Sequence, residues 1–227
     1  MRAFWLLALV ACSEHGETPP VADSGPFPDT DDRCQGDLRM QGELVDIDSS
    51  ASRFLGISDA RISLSSPRLS ATTGPNGEID LCVPATMETM QFDVDGPDTF
   101  FDGPLVIERG ALQSFRPLSI RAFTTARVTS FYAERGLTFD TSKGQVLVFV
   151  AGDISNIDLD VAHGAAQAAN ETTPGSVVWA TGDAGRYVLF PNVDATLGKA
   201  RITGSTFTEV PIAPGQITLA AVAFFFI

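Results

Sequence analysis

The chain has 227 residues, enough for one large or two ordinary domains, and 44% of them are hydrophobic, as is typical of folded proteins. Its formal net charge is -13, and because an acidic surface repels phosphate backbones, this charge argues against a nucleic-acid partner. Gly and Pro are abundant, and Val, Ile, Thr and Phe recur in short runs, which favours strands and turns over long helices.

The order of the first twelve residues resembles a secretion signal. Arg2 supplies a positive charge, an apolar run covers residues 3–10, and small Ala11 precedes Cys12. The run is too short to span a bilayer as a helix. Residues 9–12 resemble the lipobox of bacterial lipoproteins, which implies a signal peptide at residues 1–11 and lipidation of Cys12. An ordinary secretion signal with a chance cysteine is the alternative.

The residue after Cys12 indicates a location. By the sorting rule of the lipoprotein family, Ser13 implies attachment to the outer membrane, on its periplasmic or cell-surface side.

The segment behind this signal predicts a spacer. Residues 13–32 are rich in Pro, Ser, Thr, Gly, Asp and Glu, and offer almost nothing to bury. We therefore predict a lipidated, disordered tether at residues 12–33, which holds the folded part off the membrane.

Three cysteines are an odd number for an exported protein. If Cys12 carries lipid, Cys34 and Cys82 remain as a pair in an oxidising compartment, and we predict a disulfide between them. Two free buried thiols are the alternative interpretation.

A first folded unit is predicted at residues 34–112. Alternation of apolar and polar residues indicates strands at residues 38–47, 60–64, 78–83 and 90–94. Pro75 and Gly77 suit a tight turn, which is predicted to close a hairpin before the third of these strands.

This order of elements resembles a known domain family. A strand carrying Gly42, a loop, the strand at residues 59–64, and the turn and strand at residues 73–81 are similar to the carboxypeptidase regulatory-like domain, a small transthyretin-like β-sandwich. The resemblance covers residues 40–94, although the loop between the first two strands is longer and more polar than usual. It implies an accessory module that has no catalytic residues.

A connector at residues 113–140 contains the one predicted helix. Thr124 or Thr125 can cap it, and Gly136 suits its end. Its apolar stripe would consist of Val128, Phe131 and Tyr132. The alternative is one more strand, because Val, Thr, Phe and Tyr are also good strand formers.

A second folded unit is predicted at residues 141–227. Residues 181–189 repeat the two-glycine turn of residues 73–81 and predict a second hairpin. Residues 154–161 echo residues 57–64 in the same order before the turn, which predicts duplication. This half also resembles the carboxypeptidase regulatory-like or collagen-adhesin B-type group. We therefore predict an all-β protein with two tandem transthyretin-like or Ig-like β-sandwich domains, and one short helix possible in the connector.

Three segments of this second unit carry their own predictions. Residues 144–150 are almost continuously apolar, as expected of a central strand, whereas residues 163–170 are small and polar, which favours a loop. Residues 217–227 are apolar on both faces and too short for a membrane helix. They predict a buried final strand, with an oligomer contact as the alternative.

The sequence offers little chemistry for an enzyme. His163, the only histidine in the folded part, lies beside a glycine in a polar stretch that favours a solvated surface position. No Cys/His cluster, Gly-x-Ser-x-Gly turn or phosphate loop appears. We therefore expect no enzymatic activity, no cofactor and no metal. A calcium site at Asp93, Asp95, Asp98 and Asp102 remains an open alternative.

Two hypotheses about function follow. The leading one is a non-enzymatic, lipid-anchored protein of the cell envelope, whose tandem sandwiches serve contact with an envelope protein or scaffolding. The alternative is a carbohydrate-binding module at the cell surface. The aromatic residues available as sugar platforms are Trp179, Tyr187, Phe100 and Phe101, for each of which core packing is the competing interpretation.

Overall fold

The computed structural model describes residues 32–50, 53–65, 68–96, 103–114, 117–151, 156–173, 176–204 and 208–223. The lipidation candidate Cys12, most of the tether, and the aromatic pair Phe100 and Phe101 lie outside these residues. So do Asp98 and Asp102 of the possible calcium site.

The described residues form mainly strands, and two helices connect some of them. In chain order the strands are β1 (Leu38–Asp46), β2 (Arg61–Leu64), β3 (Leu69–Thr72), β4 (Glu78–Val83), β5 (Thr89–Asp95), β6 (Gly103–Glu108), β7 (Leu118–Ala122), β8 (Gly144–Ala151), β9 (Asp158–Leu159), β10 (Gln167–Thr173), β11 (Ser176–Thr181), β12 (Tyr187–Val193), β13 (Lys199–Thr203), β14 (Glu209–Pro211) and β15 (Ile217–Ala223). The helices are α1 (Arg109–Ser114) and α2 (Thr125–Glu134). The predicted all-β class with a short helix is confirmed, and α1 adds a second helix.

The strands form one large sheet and two small ones. The large sheet has nine strands in the order β11-β10-β12-β8-β15-β6-β5-β2-β3, and the small sheets are β4-β1-β7 and β14-β13-β9. One apolar cluster joins a face of the large sheet to β1, β7 and α2 through residues such as Leu44, Phe131 and Leu219. A second cluster, with Ile202 and Val222, joins the opposite face to β13 and β14. The large sheet is thus covered on both faces around β8 and β15.

The last strand, β15, holds the two halves of the chain together. It pairs in parallel with β8 on one side and with β6 on the other. Every residue from Ile217 to Ala223 is buried, as expected of a parallel strand covered on both faces. The predicted buried final strand is confirmed for these residues. Because β6 belongs to the first predicted unit and β8 to the second, one hydrogen-bonded sheet runs through both units, which joins them more closely than predicted.

The two glycine-bracketed turns do not close hairpins, so that prediction is wrong. The first turn exists, since Gly77 has a φ of 81° and its N–H donates to the carbonyl oxygen of Gly74 at 2.9 Å. However, β3 before it belongs to the large sheet, and β4 after it pairs with β1 in a small sheet. At the second turn, β10 lies between β11 and β12. A tight turn reverses the chain, but burial of the apolar faces selects the pairing partner.

The predicted loop at residues 163–170 is wrong in its second half, where β10 begins. Gln167 is buried, and its side-chain amide donates to the carbonyl oxygens of Ala165 at 3.2 Å and Ala166 at 3.1 Å. Ala168 and Ala169 are also buried. Small and polar residues therefore hid a strand. The buried amide of Gln167 satisfies its hydrogen bonds with carbonyl oxygens of the two residues before it.

Helix α2 agrees with its predicted caps and stripe. The hydroxyl of Thr124 accepts a hydrogen bond from the N–H of Arg127 at 3.3 Å, which satisfies a donor of the first turn. Gly136 follows the helix with a φ of 66°, a conformation that favours glycine. The buried residues of the helix are Val128, Phe131 and Tyr132.

The predicted disulfide between Cys34 and Cys82 is confirmed, with the two Cα atoms 5.4 Å apart. It ties the start of the folded part to β4, and such a bond is typical of an oxidising, exported environment. Beside it, Asp80 accepts hydrogen bonds from Arg39 Nε at 2.8 Å and Arg33 Nη2 at 2.6 Å. The hydrogen bond from Arg39, supported by that from Arg33, holds the pKa of Asp80 well below its usual range.

Glu108, at the end of β6, gives the joint with β15 a pH dependence. It is 8% exposed, and its Oε2 accepts a hydrogen bond from the N–H of Ala223 at 2.8 Å. Burial raises the pKa of this carboxyl, and the hydrogen bond from Ala223 opposes the rise only in part. The folded state therefore favours the protonated form of Glu108. Protonated Glu108 contributes its full stability below the unfolded pKa of about 4.3, and this contribution is lost as pH rises through the folded pKa.

We accordingly expect Glu108→Gln, an uncharged side chain of the same shape, to be more stable than the wild type at pH 7. The difference should shrink as pH falls and close below about pH 4. Urea denaturation at the two pH values measures it. Glu88→Gln, which removes an exposed carboxylate that pairs with Arg109, should give no such gain at pH 7. If the wild type were more stable than Glu108→Gln at pH 7, the raised pKa of Glu108 would be contradicted.

Candidate functional site

A cavity of about 290 Å³ lies where the edge of the small sheet β4-β1-β7 meets the large sheet. One wall is formed by β1, the segment that follows it, β7, and Pro117 just before β7. The other wall is formed by β8, β12, and Arg186 just before β12. The lining residues are Glu43, Val45, Ser49, Ser50, Phe54, Pro117, Ser119, Arg121, Phe149, Arg186 and Tyr187. Strands far apart in sequence therefore supply one concave surface.

The first wall follows from the parallel pairing of β1 with β7. In this register Glu43 lies opposite Ser119, and Val45 lies opposite Arg121. Side chains alternate along a strand, so these four share one face, whereas neighbours such as Leu118 and Ile120 point into the apolar core.

The segment after β1 forms the rim of the cavity. It stays close because the N–H of Asp46 donates to the carbonyl oxygen of Leu55 at 2.8 Å, and the N–H of Leu55 donates to the Ser49 hydroxyl at 3.1 Å. These bonds keep Phe54 beside the cavity, where its side chain is 47% exposed.

Arg121 is the most unusual residue of the site, since it is a charged side chain only 5% exposed. Its Nη1 donates to the carbonyl oxygen of Ile47 at 3.1 Å and to that of Ser49. The guanidinium carbon lies 4.8 Å from the ring centroid of Tyr187, in cation–π contact. These contacts fix the guanidinium in one orientation in the cavity wall.

The second wall belongs to the large sheet. Tyr187 pairs with Phe149 across β12 and β8, and their rings stack with centroids 5.2 Å apart. Arg186 precedes Tyr187, is exposed, and also lines the cavity. Behind Arg121 and these rings lies a second crevice of about 10 Å³, which has room for about one water molecule.

The aromatic residues singled out from the sequence have different positions. Tyr187 lines the cavity but is buried, with Arg121 and Phe149 against its ring. Trp179 is partly buried and packs edge-on against Phe131 at 5.2 Å between centroids. Sequence reasoning missed Arg121 and Arg186. The one sign of the site in the sequence was Arg121, a charged residue at an inner position of the apolar strand β7.

His163 is more enclosed than the predicted solvated histidine. Its Nε2 lies 2.7 Å from Asp158 Oδ1, and its Nδ1 lies 2.7 Å from the carbonyl oxygen of Gly164. Its ring also packs edge-on against Phe190, with centroids 4.9 Å apart. These contacts hold the loop before β10 against β12, which is a structural role.

The described residues lack the features of a metal site and of a membrane-spanning helix. Among the described residues, no three His, Cys, Asp or Glu side chains gather as a metal site would require. In that part of the chain, neither helix has the length and apolar character needed to cross a bilayer. Comparison with protein-family models, curated protein sequences and solved structures gives no match to this chain.

Proposed function

We propose that this protein is a non-enzymatic, lipid-anchored protein of the bacterial cell envelope, whose β-sandwich fold serves contact with an envelope protein or scaffolding. The lipobox-like residues 9–12 support the anchor, and residues 12–33 support a tether between the anchor and the folded part. The Cys34–Cys82 disulfide agrees with export.

The observation that carries the contact role is the cavity with Phe54 at its rim. Protein interfaces commonly combine an exposed aromatic anchor with arginines and a concave patch. Here Phe54 is half-exposed, and Arg121 and Arg186 line the same surface. The strands behind this surface are hydrogen-bonded on both sides, except for the edge strand β7, so binding would cost little ordering of the backbone.

Recovery of a partner from cell envelopes tests this role. The full chain, purified in detergent, is immobilised and exposed to solubilised envelope, and we expect one protein to be recovered reproducibly. Phe54→Ser should lower its recovery at least about tenfold. Leu197→Ser is the matched control, because Leu197 is 72% exposed but lies outside the cavity lining. Failure to recover any partner, or equal loss with both variants, would refute the proposal.

A carbohydrate-binding role is the second candidate, because Tyr187 lines the cavity. A sugar platform uses an exposed ring face, and the Tyr187 ring is covered by Arg121 and Phe149. The geometry therefore favours this role less than protein contact. A glycan array with the full chain distinguishes the two, since a binding module would give saturable hits that Tyr187→Phe retains and Phe54→Ser weakens.

A further inference from the structure

Strand β11 ends the large sheet with an open edge. It pairs with β10 on one side, and no other described strand pairs with it. Proteins commonly protect such an edge with a charged side chain, a proline or a short strand. Residues Ser176–Thr181 contain neither a charge nor a proline, whereas β3 at the other end of the sheet has four residues and follows the exposed Arg68. Of the two ends, β11 is therefore the better suited to pair with a further strand.

The ladder with β10 identifies the backbone groups that face the open edge. The N–H of Gly182 donates to the carbonyl oxygen of Ala166 at 2.9 Å, and these two residues lie opposite each other in the continuation of the β10–β11 register. Hydrogen-bonded and non-hydrogen-bonded pairs alternate along an antiparallel ladder, so every second residue of β11 points its backbone groups away from β10. The residues whose N–H and carbonyl groups face the open edge are consequently Val177, Trp179 and Thr181.

The two faces of β11 have different surroundings. Val177 and Trp179 pack against the core on the face covered by α2, where the Trp179 ring contacts Phe131 edge-on. On the other face, Val178 is 56% exposed and Ala180 is also exposed. A further strand at this edge would therefore cover apolar surface as well as pair the backbone.

A second copy of β11 can satisfy all of these edge-facing groups. Two copies related by a twofold axis perpendicular to the sheet pair antiparallel, and side chains on the same face then lie opposite each other. With the axis at Trp179, each Trp179 pairs with its copy, and Val177 of each chain pairs with Thr181 of the other. Every edge-facing N–H and carbonyl group then has a partner. An axis at Val178 would instead place Thr181 opposite residue 175, outside the strand.

The same register brings no like charges into contact. Val178 lies opposite Ala180 of the second copy, in a non-hydrogen-bonded pair with Cα atoms about 4.5 Å apart, so the pairing covers part of the exposed Val178. The formal net charge of -13 makes two copies repel at long range, but β11 itself adds no charge to the contact. Symmetry matches the length and the faces of the two strands, whereas a foreign strand would need both by its own sequence.

We propose that two copies of this protein associate through β11, antiparallel and with the twofold axis at Trp179, so that the large sheet continues from one copy into the other. This contact is separate from the cavity, because no residue of β11 lines it. The association therefore adds to the proposed contact with an envelope protein and does not depend on it. With the proposed anchor on each chain, the pair would attach to a membrane at two points.

Sedimentation equilibrium of the full chain in density-matched detergent tests the association. We expect a reversible monomer–dimer equilibrium that strengthens as salt is raised, because screening weakens the repulsion between two acidic copies. Val178→Lys puts two positive charges at diagonal positions across the pair and should weaken the dimer at least about tenfold. Leu197→Lys is the matched control, since Leu197 is 72% exposed and lies outside β11, and it should associate as the wild type does.

Thr181→Pro tests the hydrogen bonding itself. Thr181 is exposed and its N–H faces the open edge, so proline removes no backbone hydrogen bond to β10. We expect thermal unfolding close to that of the wild type and a dimer at least about tenfold weaker. A chain that stays monomeric up to about 100 µM, or a dimer that either variant leaves unchanged, would overturn the proposal. A monomer that loses its envelope partner with Val178→Lys would also overturn it and assign the edge to that partner.

Single cysteines determine the register. In the proposed pair, Val178→Cys in one chain lies opposite Ala180→Cys in the other, whereas two copies of either variant are diagonal neighbours about 7–8 Å apart. Oxidation of an equal mixture should therefore give a disulfide-linked dimer, and oxidation of either variant alone should give much less. The wild type, oxidised in the same way, controls for its own cysteines. More linkage in Val178→Cys alone than in the mixture would overturn the axis at Trp179.

Discussion

Replacing Cys34 and Cys82 together by alanine is expected to lower the free energy of unfolding by about 4 kcal/mol. The bond closes a loop between residues 48 positions apart, and in the chain-entropy model its loss frees the unfolded chain rather than weakening a native contact. For a protein of this length that loss corresponds to a fall in Tm of about 8–16 °C. Urea denaturation and calorimetry measure the two quantities.

Two comparisons control for native-state effects of the substitution. Reduction of the wild type by dithiothreitol should give the same fall in Tm, because it opens the same loop without changing the buried volume at Cys34. Asp80→Asn removes the charge that pairs with Arg33 and Arg39 but leaves the disulfide. It should lower Tm much less, since Asp80 is nearly half-exposed. A fall in Tm as small as that of Asp80→Asn would show that other contacts already constrain the loop.

Local patterns in the sequence were sufficient for several elements. The alternation of Glu78 to Val83 predicted β4, and a threonine cap with a spaced apolar stripe predicted α2. In each case the physical cause is local: one face of a strand, or one turn of a helix, must be buried. The disulfide was also predictable, because only two cysteines remained once Cys12 was assigned to lipid.

Pairing between distant segments could not be predicted in the same way. The turns at residues 73–81 and 181–189 indicated hairpins, yet their flanking strands pair elsewhere. The position of β15 between β8 and β6 depends on two faces of apolar packing rather than on any turn. A continuous apolar strand can be covered in many arrangements, so composition gives its burial but not its neighbours.

The cavity illustrates the same limit at the level of function. Arg121, Arg186 and Phe54 lie on segments whose approach depends on the parallel pair of β1 with β7 and on the position of β12. A parallel pair needs a long crossover, which no short motif encodes. Arg186 and Phe54 therefore carried no pattern of their own, and Arg121 was marked only by its charge within an apolar strand. Trp179 and Tyr187, the described aromatic residues that did attract attention, are largely packed.

Phe131→Ala is expected to lower the free energy of unfolding by about 3–5 kcal/mol. Phe131 is fully buried on α2, and its ring packs edge-on against Phe123 at 4.8 Å and Trp179 at 5.2 Å between centroids. The guanidinium carbon of Arg135 lies 3.4 Å from the centroid of the same ring. Truncation would remove these contacts and leave a cavity between the helix and the strand that carries Trp179.

The fluorescence of Trp179 and urea denaturation together measure this effect. We expect a lower urea midpoint and a shifted native emission, because the indole loses its neighbour and is exposed to more water. Thr129→Ala is the matched control, since Thr129 is exposed on the same helix and should change the midpoint little. A loss of less than about 1 kcal/mol would contradict the packing of Phe131 in the core. The removal of a fully buried ring costs so little stability only where the surrounding side chains collapse into the space.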